Sequence, residues 1–353
     1  MVTRRRGVLA VVLALVVLAP VLVSLGCKPD LNQTVSLVTA ARVLAVQATP
    51  AEGAPSATLS LTALVVDTSG TIQPPITWDF CNDRNPLANL GPVNPVCLQA
   101  DNPNFVPIGA GSQVTGTIPA IACRQFGPDV PQVTGNATPG RPVDPDPTGG
   151  YYQPVSLFVS LPQGLASSLY GTRISCGLSG GSSDQANDFL GRYHLNVNPA
   201  VAGVTANGAP LVPDDGTSVN PVPAGQKITF EASWADCPLS DTCGDGLCGA
   251  DESITSCPAD CTTPQGCAGA ERYVDFDLSS QALLDAREGM HVSWFATGGS
   301  FDLDRTGRDG SDLTTSSDDG WSAPAAGQPV HFWVVLRDDR GGVGWASYVL
   351  QPQ

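Results

Sequence analysis

The sequence predicts an all-β protein built as two β-sandwich domains with a disulfide-rich insert in the second. Three observations carry that expectation. Period-two alternation of apolar and polar residues recurs along the chain, sustained helical periodicity is almost absent, and Gly and Pro, 38 and 31 of the 353 residues, punctuate short apolar runs. At about 150 residues per domain, the length also suits two globular units, each long enough to bury a core.

The first element is a leader. Arg4, Arg5 and Arg6 precede an apolar run from Val8 to Leu22, and Ser24-Leu25-Gly26-Cys27 follows. A basic start, an apolar stretch and small residues before a cut point mark an export signal, removed from the mature protein. Because Cys27 directly follows Gly26, residues 1–26 resemble a bacterial lipoprotein signal, although Ser24 stands where that family usually has Leu. The resemblance implies acylation of Cys27 as the new N-terminus, with residues 27–40 as a tether. The alternative is an uncleaved membrane helix, since Val8 to Leu25 falls within the ~17–25 apolar residues that span a bilayer. Pro20 counts against it.

The leader holds three of the 17 Lys and Arg and none of the 33 Asp and Glu, so 14 bases face 33 acids in the remainder. Phosphate backbones bind clustered Lys and Arg, and no such cluster remains, which argues against a nucleic-acid partner and favours cations. Of the eleven cysteines, Cys27 is set apart by the leader; the other ten are an even number in an exported chain, where disulfides form and persist.

The first sandwich is expected over residues 41–200. Leu59, Leu61, Ala63 and Val65 alternate with Thr58, Ser60 and Thr62, the pattern of a half-buried strand, and Asp67 to Gly70 turns the chain. Ile76, Trp78 and Phe80 then present a second strand, with a large indole, to the same core. Asn82 to Gly150 is rich in Pro, Asn and Gly and reads as long loops held by cysteines. Cys81 and Cys97 could close one loop, which leaves Cys123 and Cys176 to each other. Connectivity is not fixed by sequence.

The same grammar returns in residues 201–353. Ile228, Phe230, Ala232 and Trp234 alternate with polar neighbours, and Val292-Ser293-Trp294-Phe295 follows, so that ITWDF and VSWFA mark corresponding strands of a weak internal repeat. Val330, Phe332, Val334 and Leu336 share one face of a last hairpin, Asp338 to Gly342 supplies its turn, and Val343 to Leu350 runs back. In WFATGGSFDLDRTG, WSAP and PVHFWVVLRDDRGGVGW the chain resembles the immunoglobulin-like modules of bacterial surface lipoproteins of myxobacterial type. That resemblance implies immunoglobulin-like sandwiches and a lipid-anchored place in the cell envelope, at the periplasmic or surface face of the outer membrane. It implies no activity, because such sandwiches host many functions.

The insert spans residues 237–267 and carries Cys237, Cys243, Cys248, Cys257, Cys261 and Cys267. Its centre, CGDGLCGADESITSCPADC, resembles the Cys/Asp-rich repeats of secreted proteins, including calcium-binding Notch-type repeats. The resemblance implies a calcium ion held by Asp245, Asp251, Glu252 and Asp260, a hard cation among carboxylate oxygens in a module too small to build a core. The alternative is a disulfide loop with solvated acids. Zinc is disfavoured, because Cys243 and Cys248 enclose four residues and Cys257 and Cys261 three, where ribbons most often show two. Asp302 to Asp312 begins like a calcium loop but has Leu313 where a bidentate Glu is required, and reads as a polar turn in which Arg305 pairs with an aspartate.

Catalytic signals are sparse. Gly177-Leu178-Ser179-Gly180-Gly181 matches G-x-S-x-G, but His194, His291 and His331 are the only histidines, and none precedes Ser179. The hydrolase elbow also needs a parallel sheet flanked by helices. The string lies between strand-like runs at Thr172 to Cys176 and Phe189 to Val197, where a hairpin loop is expected. His291 and His331 are expected to face outward from strands. The reading is therefore a lipid-anchored, non-catalytic binding or structural module, possessing calcium as its one candidate cofactor and the membrane, envelope proteins or polysaccharide as partners. The alternative is a serine hydrolase with its site near Ser179.

Overall fold

Alternating side chains become paired strands in the computed structural model, which describes residues 35–86, 91, 93–128, 145–178, 181–237, 243–244, 257–260, 267–277 and 280–353. Nine strands make a first sandwich. In one sheet β1 (Arg42–Thr49), β4 (Gly70–Ile72) and β7 (Gln113–Thr117) all pair with β3 (Thr58–Asp67). The other runs β2-β9-β8-β5-β6, from β2 (Glu52–Gly53), β5 (Ile76–Cys81), β6 (Phe105–Ala110), β8 (Tyr151–Leu161) and β9 (Gly164–Ile174). Helix α1 (Ala122–Phe126) precedes β8, and α2 (Ser183–Arg192) follows β9.

The second sandwich repeats the wiring. One sheet runs β11-β10-β13-β19-β17, from β10 (Gly203–Ala206), β11 (Ala209–Pro210), β13 (Lys227–Ser233), β17 (Ser300–Phe301) and β19 (Ser316–Ser322). The other runs β12-β21-β20-β16-β18, from β12 (Asn220–Val222), β16 (Met290–Ala296), β18 (Arg305–Arg308), β20 (Val330–Asp338) and β21 (Val343–Pro352). In both sandwiches a short strand, β2 or β12, pairs in parallel with the final strand, β9 or β21, and all other ladders are antiparallel. This is the strand order of an immunoglobulin-like sandwich. Between β13 and β16 lies the insert, followed by a separate antiparallel hairpin, β14 (Arg272–Asp277) and β15 (Ala282–Arg287).

Each sandwich closes on a tryptophan of the equivalent strand. Trp78 on β5 packs with Leu59, Leu61, Val155 and Leu157, and Trp294 on β16 with Phe230, Phe332 and Trp321. A buried indole needs a partner for its N–H; Trp78 donates to the Gly111 carbonyl at 2.8 Å and Trp294 to Thr306 Oγ1 at 3.0 Å. ITWDF and VSWFA thus occupy the same place in two copies of one topology.

A third apolar cluster joins the copies. Leu44, Ala45, Leu64 and Val66 meet Phe295, Trp333, Val335 and Val343, and Trp333 donates to Thr71 Oγ1 at 3.1 Å. Strand β20 is therefore buried on both faces: Phe332, Val334 and Leu336 enter the second sandwich, as the alternation predicts, while Trp333 and Val335 enter the junction. His331 lies on that junction face, half-buried, with its ring 6.0 Å from Trp333 and against Gly70, so it does not face outward.

Four further expectations need correction. Asn82 to Gly150 is not only loops, since it supplies β6, β7 and α1, and buries Val114, Ile118, Ala122 and Phe126. Its strand β6 lies at a sheet edge, where Pro107 and Gly109 are tolerated, and those residues masked it. Phe189 to Val197 is not a strand: Ser182 Oγ accepts from Gln185 N and Gln185 Oε1 from Ser182 N, a capping box that starts α2. The tether 27–40 is docked from residue 35 onward, for Val38 is fully buried and donates its N–H to the Ala296 carbonyl, while Ala296 N donates to the Ser36 carbonyl. In the acidic stretch, Arg308 rather than Arg305 pairs with Asp312, at 3.5 Å, and Arg305–Arg308 forms β18 on the edge of a sheet.

Candidate functional site

Beside the apolar junction lies a sealed polar one. Strand β2 pairs in parallel with β9 and sets Glu52 opposite Arg173, two side chains that are 1% and 2% exposed. Arg173 Nε lies 3.4 Å from Glu52 Oε2, and Arg173 Nη1 donates to Thr148 Oγ1 at 2.7 Å. From the second sandwich, the turn after β20 brings Arg340, fully buried, to 3.4 Å from both Glu52 and Glu288. Arg340 also donates to the His194 carbonyl at 2.7 Å and lies over the rings of Tyr193 and Tyr273.

Glu271 and Glu288 form the two feet of the β14–β15 hairpin. Glu288 N donates to the Glu271 carbonyl at 2.9 Å, and Glu271 N donates to Glu288 Oε2 at 2.9 Å. Val197 N donates to Glu271 Oε2 at 3.0 Å, which ties the hairpin to the segment between the sandwiches. Asp338, also buried, accepts from Gly342 N at 2.7 Å and Asn196 Nδ2 at 3.2 Å. Burial pushes the Glu271 carboxyl up to about 8 and that of Asp338 up to about 6, each against the pull of Arg340. Burial, with Asp338 and Glu271 nearby, raises Glu288 as well. Arg340 is held firmly charged: burial opposes its charge, and Glu288 and Glu52 outweigh that cost.

Next to this network opens a cavity of ≈ 390 Å³, with Glu52, Arg173 and Tyr193 on one side and Ile174, Phe189 and Phe276 among its apolar walls. Of its charged groups, Glu52 is committed to its neighbours. Glu52 accepts from Ser175 Oγ at 2.9 Å, from Tyr193 Oη at 2.6 and 2.8 Å and from Asn196 N at 3.1 Å, besides facing two guanidiniums. A carboxylate offers about four lone-pair sites, so Glu52 is spent on joining elements and is not poised as a base.

Four disulfides occur among the described residues: Cys81–Cys97, Cys123–Cys176, Cys237–Cys267 and Cys243–Cys257. The last two are nested in the insert, with Cys237–Cys267 at its base. Asp260 lies by Cys257 and accepts from Gly244 N. Cys243, Cys257 and Asp260 approach closely enough to suggest a metal set, but a disulfide sulfur is no thiolate ligand. The candidate ligands Asp245, Asp251 and Glu252 lie outside the described residues, as do Cys27, Cys248, Cys261 and Ser179. His194 contributes its backbone to the joint, and burial, then Arg305, depress the His291 imidazole.

Sequence reasoning missed Glu52, Arg173, Glu271, Glu288 and Arg340. Glu52 and Arg173 lie on strands whose polar positions are expected at the surface, and Arg340 lies in DDRGG, which reads as a solvated turn. Only lone ionisable residues beside apolar strand ends could have hinted at them.

No protein-family model matches the chain, and no curated protein sequence does. Solved structures with some likeness include PorU from Porphyromonas gingivalis (10% identity, 90% of this chain and 34% of that one, TM-score 0.19). Others are the adhesin InvE of Yersinia pseudotuberculosis (11% identity, 88% and 58%, TM-score 0.19) and the tandem V-type regions of the chitin-binding protein VCBP3 (13% identity, 88% and 100%, TM-score 0.23). The chain spans about a third of the first and 58% of the second. TM-scores this low describe no common arrangement, and the fold is defined by its own sheets.

Proposed function

We propose that this chain is a lipid-anchored cell-envelope protein, exported through residues 1–26 and anchored at Cys27, that works as a non-catalytic binding or structural module. The observation that carries this reading is the set of four disulfides, two in the insert and two beneath the long loops of the first sandwich. Such bonds persist in oxidising compartments and are rare in the cytosol. The committed state of Glu52 supports a structural use, because its lone pairs are taken up by Ser175, Tyr193, Asn196 and two guanidiniums. Several acyl chains at Cys27 would hold the protein at a membrane, at about 0.8 kcal/mol per buried methylene.

The deciding experiment is mass spectrometry of the mature N-terminus from native membranes. A thioether-linked diacylglyceryl group on Cys27 is expected; a retained leader or an unmodified Cys27 overturns the reading. Treating the same protein with a fluorophosphonate probe checks the non-catalytic part, since labelling at Ser179 would establish a hydrolase. Calcium belongs to the same proposal, held by Asp245, Asp251, Glu252 and Asp260. Chelator is expected to lower the melting temperature of the full chain, and the Asp245→Ala, Glu252→Ala double variant to abolish that response.

A further inference from the structure

The polar joint does not balance its charge. Four carboxyls, those of Glu52, Glu271, Glu288 and Asp338, are each at most 5% exposed, and only two guanidiniums, those of Arg173 and Arg340, are sealed with them. Half-buried neighbours deepen the deficit. Asp339 Oδ2 accepts from Gly289 N at 3.0 Å beside the hairpin foot, and Asp146 lies 3.6 Å from Arg173. The other titratable groups facing the site are the phenols Tyr152, Tyr170, Tyr193 and Tyr273, which burial keeps neutral, and the half-buried Asp275. Arg337, near the end of β20, points away to the Leu44 carbonyl at 2.8 Å.

An uncompensated ion inside a protein costs several kcal/mol, so the excess carboxyls are stable there only with protons on them. The same carboxyls are structural fasteners. Glu271 and Glu288 close the base of the β14–β15 hairpin and bind it to the segment between the sandwiches, while Arg340 joins them to Glu52 and the first sandwich. We propose that the joint is a proton-held latch: protons shared among Glu271, Glu288 and Asp338 fasten the β14–β15 hairpin, and the cysteine-stapled insert it follows, to the two sandwiches, and mildly alkaline surroundings release it.

The direction follows from linkage. An opened hairpin exposes Glu271 to water and lets it ionise near its ordinary value, whereas the closed joint keeps its proton up to about 8. The opened state therefore binds fewer protons across that window. Its population rises as pH climbs from about 5 to about 8, by up to tenfold per unit for each group, and levels off above.

Hydrogen exchange on the full chain tests this. After correction for the intrinsic exchange rate, the β14 and β15 amides are expected to lose at least about tenfold in protection between about pH 6 and about pH 8.5, while those of β8 and β20 keep theirs. Glu271→Gln combined with Glu288→Gln, which mimics the protonated pair, should flatten that dependence; Glu231→Gln, an exposed change on β13, should leave it intact and so control for net charge. A second readout needs no variant, because protonated carboxyls in the native protein give an infrared carbonyl band that persists at neutral pH. Constant hairpin protection, a double variant that still responds to pH, or absence of that band each overturns the latch.

Discussion

Trp78 and Trp294 show how a single residue type anchors each copy of the topology. Both are buried on the equivalent strand, and both have their N–H satisfied. Removing such a ring leaves a void that neighbours cannot fill, so Trp294→Ala should cost about 3–5 kcal/mol in chemical denaturation. A loss below about 1 kcal/mol would show that the second core collapses around the gap. These residues were legible because strict alternation around them names the buried face. Arg340 was not, because its neighbours Asp338, Asp339, Gly341 and Gly342 are the residues of a surface turn, and nothing local says that another domain covers it. Arg340→Met keeps the stem but strands buried carboxyls without their cation, for an expected loss of about 3–5 kcal/mol, smaller at pH 5 than at pH 7 as those carboxyls take up protons.

Among the elements, the strands of the two cores could be read from the sequence and the exceptions have local causes. Helix α2 escaped notice because its ten residues bury no side chain fully and its apolar stripe is only Ala186, Phe189 and Leu190, so the Ser182–Gln185 capping box is its clearest local signal. Ser182→Ala should therefore loosen α2 by about 1 kcal/mol, read as faster amide exchange in its first turn. Strand β6 was hidden by the Pro and Gly that an edge position permits. The cysteines offered more: Cys123–Cys176 joins α1 to the end of β9 across a separation of 53 residues. Removing it by paired Ala substitutions should destabilise the chain by about 4 kcal/mol in the loop-entropy model. A shift of melting midpoint below about 1 kcal/mol equivalent would mean that the packing of Phe126 and Ile174 already fixes those ends.

For the whole molecule, the decisive feature is that the sandwiches share apolar and polar joints. Leu44 and Leu64 belong not to the core of their own sandwich but to the junction, buried against Phe295 and Trp333. Period-two reasoning assumes one dry face per sheet, and it fails where a second domain dries the other. Residues 35–353 accordingly form one unit, and calorimetry of the native protein should record a single unfolding transition, with Trp333→Ala lowering it as a whole. Two separate transitions would show that each sandwich melts alone.

The docked N-terminal segment has a mechanical consequence. Ser36 and Val38 are bonded to Ala296 and Asp304 of the second sandwich before the chain enters β1 of the first. Any tug arriving through residues upstream is thus met by the far sandwich, through bonds between Val38 and β16, before it reaches the first strand of the near one. The strap shields β1 from being peeled off its sheet by a pull on the N-terminal side of the chain.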